Sequence, residues 1–288
     1  MRERGVMTAV LLAMLFLPNA ASAQYLDGTL LKIKTSGTIN LGYRESSPPF
    51  SFNGPDLKPA GYSVDLCTFV ARAVQKKLGL PDLKVNWVPV TAENRVQLVV
   101  DKKIDVECST TTTTLARQER VDFSLMTFVD GAGLLTLADK TVPSTAELAG
   151  KRIAVIPATT TEKVLNEGMK ALNITATLVP VKDHAQGILA IEEGRADAFV
   201  SDRSILAGLA LTSKDPRRFA LARNAFSYEP YGLMVRRNDS SFRLVVNRAL
   251  SELYRSGAIL QVYERWFGAL GAPGEALQAM YLLNGLPD

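Results

Sequence analysis

The sequence predicts an α/β fold in two lobes, the first assembled from two separate stretches of chain. Three observations carry this. Short β-rich runs alternate with helix-periodic segments from Thr38 to Phe267, as in layered strands and helices. Two strand-like segments, 128–135 and 225–235, contain glycine, which marks a bend or bulge inside a strand, and both read as crossovers between lobes. The order strand, hydroxyl-rich turn, helix occurs twice, at 104–117 and at 151–169. Two such turns facing each other form a cleft, the usual place for a ligand site. The expected division is residues 24–130 plus 231–268 for lobe 1, 131–230 for lobe 2, and 269–288 as a C-terminal extension.

Composition narrows the function. A chain of 288 residues with 47% hydrophobic content is long enough for two real cores and is not disordered. Two cysteines make neither a disulfide scaffold nor a cysteine-rich metal site, and one histidine excludes a multi-histidine metal site. Residues 1–23 read as a secretory signal: Arg2 and Arg4, an apolar core at 10–17, Pro18, then Ala21-Ser22-Ala23 before a cut after Ala23. The apolar run is far short of the ~20 residues a membrane span needs. Removing Arg2, Glu3 and Arg4 lowers the formal charge from +4 to +3. That mild excess suits small acidic ligands, and no basic stripe of the nucleic-acid-binding kind is present.

Taken in order, 38–43 is an alternating strand that ends at Arg44, ahead of Pro48 and Pro49. Arg44 therefore sits at a strand's C-terminal edge, where open α/β sheets bind ligands; a weak surface ion pair with Glu45 is the alternative. A helix capped by Ser63 is expected through Leu78, with Cys67 on it, then a strand at 83–90. Thr91 caps the next helix, and Arg95 puts a cation in its first turns, against the helix dipole.

The run 105–117 is the richest stretch. An apolar strand feeds Ser109 and five threonines, hydroxyls suited to capping and to hydrogen bonding, and a helix opens near Arg117. Free N–H groups at such a turn favour an anion, here a carboxylate; an inert, capped loop is the alternative. In the second lobe, the strand at 151–156 runs into Thr159-Thr160-Thr161-Glu162, which is a ligand turn or a simple capping box. A strand at 177–181 ends at Lys182-Asp183-His184, and one at 196–200 ends at Ser201-Asp202. Asp202 suits a bound ammonium, the cap of the 204–211 helix, or both. Helices at 242–254 and 260–267 close the domain; the residues of the extension do not define its role, and packing on lobe 1 is the default expectation.

In combination, Gly42-Tyr43-Arg44-Glu45-Ser46-Ser47, Gly61-Tyr62-Ser63, Glu93-Asn94-Arg95, Glu107-Cys108, Arg117-Gln118, Phe123-Ser124, Lys182-Asp183-His184, Tyr231-Gly232 and Arg265-Trp266-Phe267 resemble a known family. It is the family 3 extracellular solute-binding proteins of bacterial ABC amino-acid transporters, in particular their glutamate/aspartate-binding branch. The resemblance implies the two-lobe periplasmic-binding-protein (Venus flytrap) fold with two hinge crossovers, a periplasmic location, a monomer, a membrane permease as partner, and no cofactor, metal or catalysis. It implies that Arg117 holds an amino acid's α-carboxylate, helped by the hydroxyls of Thr110 and Thr112. Arg44 and Arg95 then hold the side-chain carboxylate of L-glutamate or L-aspartate, and Thr160, His184 and Asp202 complete the pocket, with Asp202 facing the ammonium. Ala92 stands where the family commonly has serine. Cys108 matches and Cys67 does not obviously; whether the two pair is open at this stage.

The charge count agrees independently. An acidic amino acid carries two carboxylates and one ammonium, which three arginines and one aspartate suit, with arginine forks binding carboxylates bidentately. Three other readings compete: an enzyme of the same fold resembling cyclohexadienyl dehydratases, drawing on Glu107 and His184 as acid and base; a binding protein for another polar amino acid; and a sensory domain, which needs a span or an output domain.

Overall fold

The computed structural model describes residues 26–142 and 144–287. The expected signal peptide, 1–23, lies outside the described residues, as does Pro143. Helix α1 (Gly28–Ser36) leads to β1 (Thr38–Tyr43) and a small sheet of β2 (Ser46–Ser47), β3 (Ser51–Asn53) and β4 (Pro59–Ala60). Then come α2 (Tyr62–Leu78), β5 (Lys84–Pro89), α3 (Arg95–Val100), β6 (Val106–Glu107), α4 (Leu115–Gln118) and the long β7 (Val121–Asp130). The second lobe runs through β8 (Ala132–Leu137), β9 (Arg152–Val155), α5 (Thr160–Ala171), β10 (Thr177–Pro180), α6 (His184–Glu192), β11 (Ala198–Asp202), α7 (Arg203–Thr212) and β12 (Phe219–Leu221). Strand β13 (Glu229–Arg236) returns to the first lobe, and α8 (Ser240–Arg255), α9 (Ala258–Phe267) and α10 (Glu275–Asn284) follow.

Each lobe holds a five-stranded sheet, ordered β5-β1-β6-β13-β7 in the first and β10-β9-β11-β8-β12 in the second. β1, β5 and β6 are parallel, as are β9, β10 and β11. Their C-terminal ends carry Arg44, the threonine run, the Thr159–Thr161 turn, His184 and Asp202. Pro180 is tolerated within β10 because that strand is a sheet edge.

The segment at 128–135, expected as one strand, is two. β7 ends in the first sheet at Asp130 and β8 begins in the second at Ala132, with Gly131 between. A Cβ on Gly131 would lie 2.5 Å from the Ser227 carbonyl oxygen, so the two crossovers touch there only because residue 131 is glycine. Asp130 on β7 pairs in register with Glu229 on β13, so each crossover brings a carboxylate to the hinge.

Below the hinge lies an aromatic cluster. Phe50 meets Tyr62, Phe128, Tyr231 and Phe267 at centroid distances of 4.8–6.0 Å, all within favourable edge contact. It ties the hinge strands to α2 and α9. On α2, Leu66, Val70, Val74 and Leu78 recur at helical spacing, are buried, and form one core with Phe242, Val246, Leu250 and Leu253 of α8. The extension joins that core: Tyr281 of α10 lies 2.9 Å from the Tyr62 hydroxyl and packs on the Tyr254 ring.

One local expectation changes, and one pairing left open by the sequence is settled. Ser63 does not cap α2, which starts at Gly61; its buried hydroxyl instead donates to the Ser109 carbonyl at 2.9 Å. Cys67 and Cys108 form a disulfide. Both links staple α2 to the base of the threonine run. The cysteines are 41 residues apart, so opening the bridge is expected to lower the unfolding free energy by roughly 2–4 kcal/mol, chiefly by freeing the unfolded chain. Urea melts of Cys67→Ser against wild type check this; coincident midpoints would refute it.

Candidate functional site

The strand ends of both lobes converge on one enclosed space, bordered by Arg44, Arg95, Thr110, Thr112, Thr159, Thr160, Thr161, His184, Ser201 and Asp202. Seven of the eight residues singled out from the sequence are among these. The eighth, Arg117, stands against the same wall, its Nη1 donating to the Thr112 carbonyl at 2.7 Å. Ala92 borders a neighbouring crevice with Ile156, Pro157 and Val181, not this space.

Local structure holds each group. Ser51 Oγ accepts from the Arg44 backbone N–H at 2.9 Å, fixing the strand end from which Arg44 projects. Thr91 and Asn94 cap each other reciprocally at 3.2 and 2.8 Å, and the Arg95 N–H donates to the Thr91 carbonyl. Thr114 caps α4 by accepting from the Arg117 N–H at 3.1 Å. Thr159 caps α5 by accepting from the Glu162 N–H, while Glu162 accepts from the Ala158 N–H, one residue before the cap, so the turn is a capping box displaced by one residue and still presents Thr160 to the cleft. Asp202 occupies the cap position of α7 without capping it. Asp130 reaches across the hinge instead and accepts from the Ser204 N–H at 3.1 Å.

Asp202 is thereby left to the cleft, where it accepts from the hydroxyls of Tyr231 at 2.5 Å and Thr161 at 3.1 Å. Its carboxyl is pushed up to about 7, first by burial and then by the charges of Asp130 and Glu229. Between its ordinary value of 3.8 and about 7 the folded chain keeps a proton that the unfolded chain has lost. The ligand-free protein should therefore lose stability from this group as pH rises through that window. Thermal melts at pH 4–8 should show a flatter profile for Asp202→Asn; a profile parallel to wild type would contradict the assignment.

The same space is also bordered by two arginines. Arg44 and Arg95 are each 3% exposed. Arg44 Nη2 and Arg95 Nε have no hydrogen-bond partner among the described residues. Burial, then the neighbouring Arg95, lowers Arg44 to about 10; burial and Arg95 likewise lower Arg117 to about 10, with Glu107, Glu229 and Asp202 opposing. His184 bridges the lobes, its Nδ1 2.8 Å from Ser47 Oγ and its Nε2 3.0 Å from Ser201 Oγ. Burial and the two arginines hold its pKa well below the usual value, so the imidazole is neutral at pH 7. One ring nitrogen then donates and the other accepts.

Four contributors were not singled out from sequence: Ser47, Ser201, Tyr231 and Glu229. Glu229 is 1% exposed and accepts from Thr112 at 2.5 Å, Thr160 at 2.7 Å and Ser227 at 2.8 Å. A charged residue in a strand otherwise reading as a return crossover gave no local signal of this. Glu107, weighed as an acid or base, is fully buried beneath the site, accepts from Thr111 at 2.8 Å, and does not border the space. Its carboxyl is raised by burial against the pull of Arg95, Thr111 and Arg44. Among the described residues no His/Cys/Asp/Glu group is arranged to hold a metal, and no helix is long and apolar enough to cross a membrane.

Two lobes joined by two strands, with a charged cleft between them, define a hinged ligand-binding protein. The chain belongs to the bacterial extracellular solute-binding proteins, family 3, whose pattern residues 39–269 match. It is 38% identical, over 90% of its length and 86% of the relative's, to the L-glutamate/L-aspartate-binding protein of Pseudomonas aeruginosa. It is 35% identical, over 83% of its length and 79% of the relative's, to the glutamate/aspartate import solute-binding protein of Escherichia coli. Among solved structures, a mutant of ArgBP from T. maritima superposes with a TM-score of 0.74 at 28% identity, covering 84% of this chain and all of that one. The chain is a solute-binding protein by family, not an enzyme.

Proposed function

We propose that this chain is the periplasmic substrate-binding component of an ABC importer and that it delivers an acidic L-amino acid, L-glutamate or L-aspartate, to a membrane permease. The observation that carries the ligand class is the pair of buried arginines, Arg44 and Arg95, each bordering the cleft and each with an N–H unpartnered among the described residues. A buried guanidinium is costly until an anion meets it. A side-chain carboxylate supplies that anion, and a neutral amide does not. The names of the two relatives support the same ligands.

In this reading Arg117 and the Thr110–Thr112 turn take the α-carboxylate, Asp202 with Thr160 faces the ammonium, Arg44 and Arg95 take the side-chain carboxylate, and His184, held by Ser47 and Ser201, completes the pocket wall. Residues 24–130 with 231–268 move against 131–230 about Gly131 and the segment 227–229. Gly208 of α7 lets that helix close onto Pro48, whose carbonyl would be 2.8 Å from any Cβ there. Export through a signal peptide cut after Ala23, and action as a monomer, belong to the same proposal. Melting the mature protein with each amino acid tests it. L-Glutamate and L-aspartate at about 100 times Kd should add roughly 2.7 kcal/mol, a rise on the order of 5–10 °C. A larger rise with arginine or glutamine would refute the ligand class.

A further inference from the structure

Glu229 is a buried carboxylate at the hinge whose contacts run to both lobes. It lies at the start of β13, is anchored by the Ser227 hydroxyl on Oε1, and gathers two cleft hydroxyls on Oε2: Thr112 from lobe 1 and Thr160 from lobe 2. Ser227 is itself held, accepting from the Ala132 N–H at 2.9 Å, so the carboxylate is fixed by both crossovers. A threonine hydroxyl has a single proton to donate, and a carboxylate oxygen only accepts. Both hydroxyls lie closer to Glu229 Oε2, at 2.5 and 2.7 Å, than to each other, at 3.1 Å, which favours both protons on Glu229 and leaves the two hydroxyl oxygens as acceptors.

We propose that Glu229 is a positioning residue for the ligand's α-ammonium: by taking the protons of Thr112 and Thr160 it makes both hydroxyls acceptors toward the bound amino acid. The ammonium has three N–H donors. Asp202 receives one, and the two oriented hydroxyls receive the others. A carboxylate offered at the same place meets lone pairs and is turned away. The α-carboxylate is thus directed to Arg117 and the backbone of the turn, and the hydroxyl of Thr112 is withdrawn from it. The consequence is selectivity for amino dicarboxylates over plain dicarboxylates of equal length. This rests on the acidic-amino-acid reading and adds to it the means by which the amine is required.

The test compares L-glutamate with glutarate, which has the same carbon chain and no ammonium, by calorimetric titration of the full mature protein. Wild type should bind L-glutamate and strongly disfavour glutarate. Glu229→Gln keeps the shape and removes the charge that orients the hydroxyls. It should shrink the glutamate-to-glutarate affinity ratio by at least about tenfold, through lost glutamate affinity, since hydrogen bonds to a charged group are each worth that much. Thr160→Val, isosteric and without the hydroxyl, should shrink the ratio in the same direction and carries the test if Glu229→Gln does not fold. An unchanged ratio, or equal loss for both ligands, overturns the role of Glu229, since a purely structural latch would weaken both alike. A wild-type protein that binds no L-glutamate would instead overturn the acidic-ligand reading on which the proposal stands.

Discussion

Replacing Arg117 with alanine is expected to weaken binding of every amino acid, acidic or neutral, by about 30-fold or more. Arg117 lies on the single turn of α4, its backbone N–H held by the Thr114 cap. Its guanidinium is desolvated enough to titrate near 10, and Glu107, Glu229 and Asp202 surround it without any of them forming an ion pair with it in the structure. One N–H is spent on the Thr112 carbonyl, which aims the fork along the threonine turn. The α-carboxylate is common to all amino acids, so its loss does not discriminate among them. Truncating one partner of a buried charged contact costs about 2–5 kcal/mol, roughly a 30- to 5,000-fold rise in Kd. Calorimetry on Arg117→Ala should give Kd values at least about 30-fold higher for every amino acid tested. Affinity within threefold of wild type would remove Arg117 from the site.

Arg44→Met should act on acidic ligands alone. Arg44 is buried against Arg95, and part of its fork is unpartnered. L-Glutamate and L-aspartate should lose about 100-fold or more in affinity. Glutamine should lose nothing, because its amide never repaid the guanidinium's desolvation. The ligand-free variant should melt no lower than wild type, since a methionine of similar length replaces a charge that is costly to bury. Equal loss of glutamate and glutamine would place Arg44 at the common end of the ligand and reverse the proposed orientation. A lower melting temperature in the free protein would show that Arg44 is structural.

These two arginines were legible in the sequence because they stand where local signals are strong. Arg44 follows an alternating strand and precedes two prolines; Arg117 follows a run of capping hydroxyls. Strand ends, turns and caps are decided by near neighbours, so the strand-to-helix turns could be read before the sheets were known. What failed to show depends on pairing across the chain. Glu229 becomes a cleft residue only because β13 lies beside β7 and the threonine turn bridges to Tyr231. Asp202 is free of α7 only because Asp130 caps that helix from the other lobe. Ser63 had the look of a cap, but the tertiary contact with Ser109 claims its hydroxyl. The Cys67–Cys108 bridge depends on how α2 packs against β6, which spacing does not determine.

The central claim is that the cleft takes an amino acid bearing a second carboxylate. L-Glutamate and L-glutamine have the same shape and α-groups and differ only in that terminal group, so their ratio isolates it. The most direct measurement is calorimetric titration of the ligand-free mature protein with each at neutral pH. The buried pair of Arg44 and Arg95 predicts that L-glutamate binds at least about 100-fold more tightly, because the amide brings no charge to the unpartnered N–H of either guanidinium. Equal affinities, or tighter binding of L-glutamine, would contradict the account.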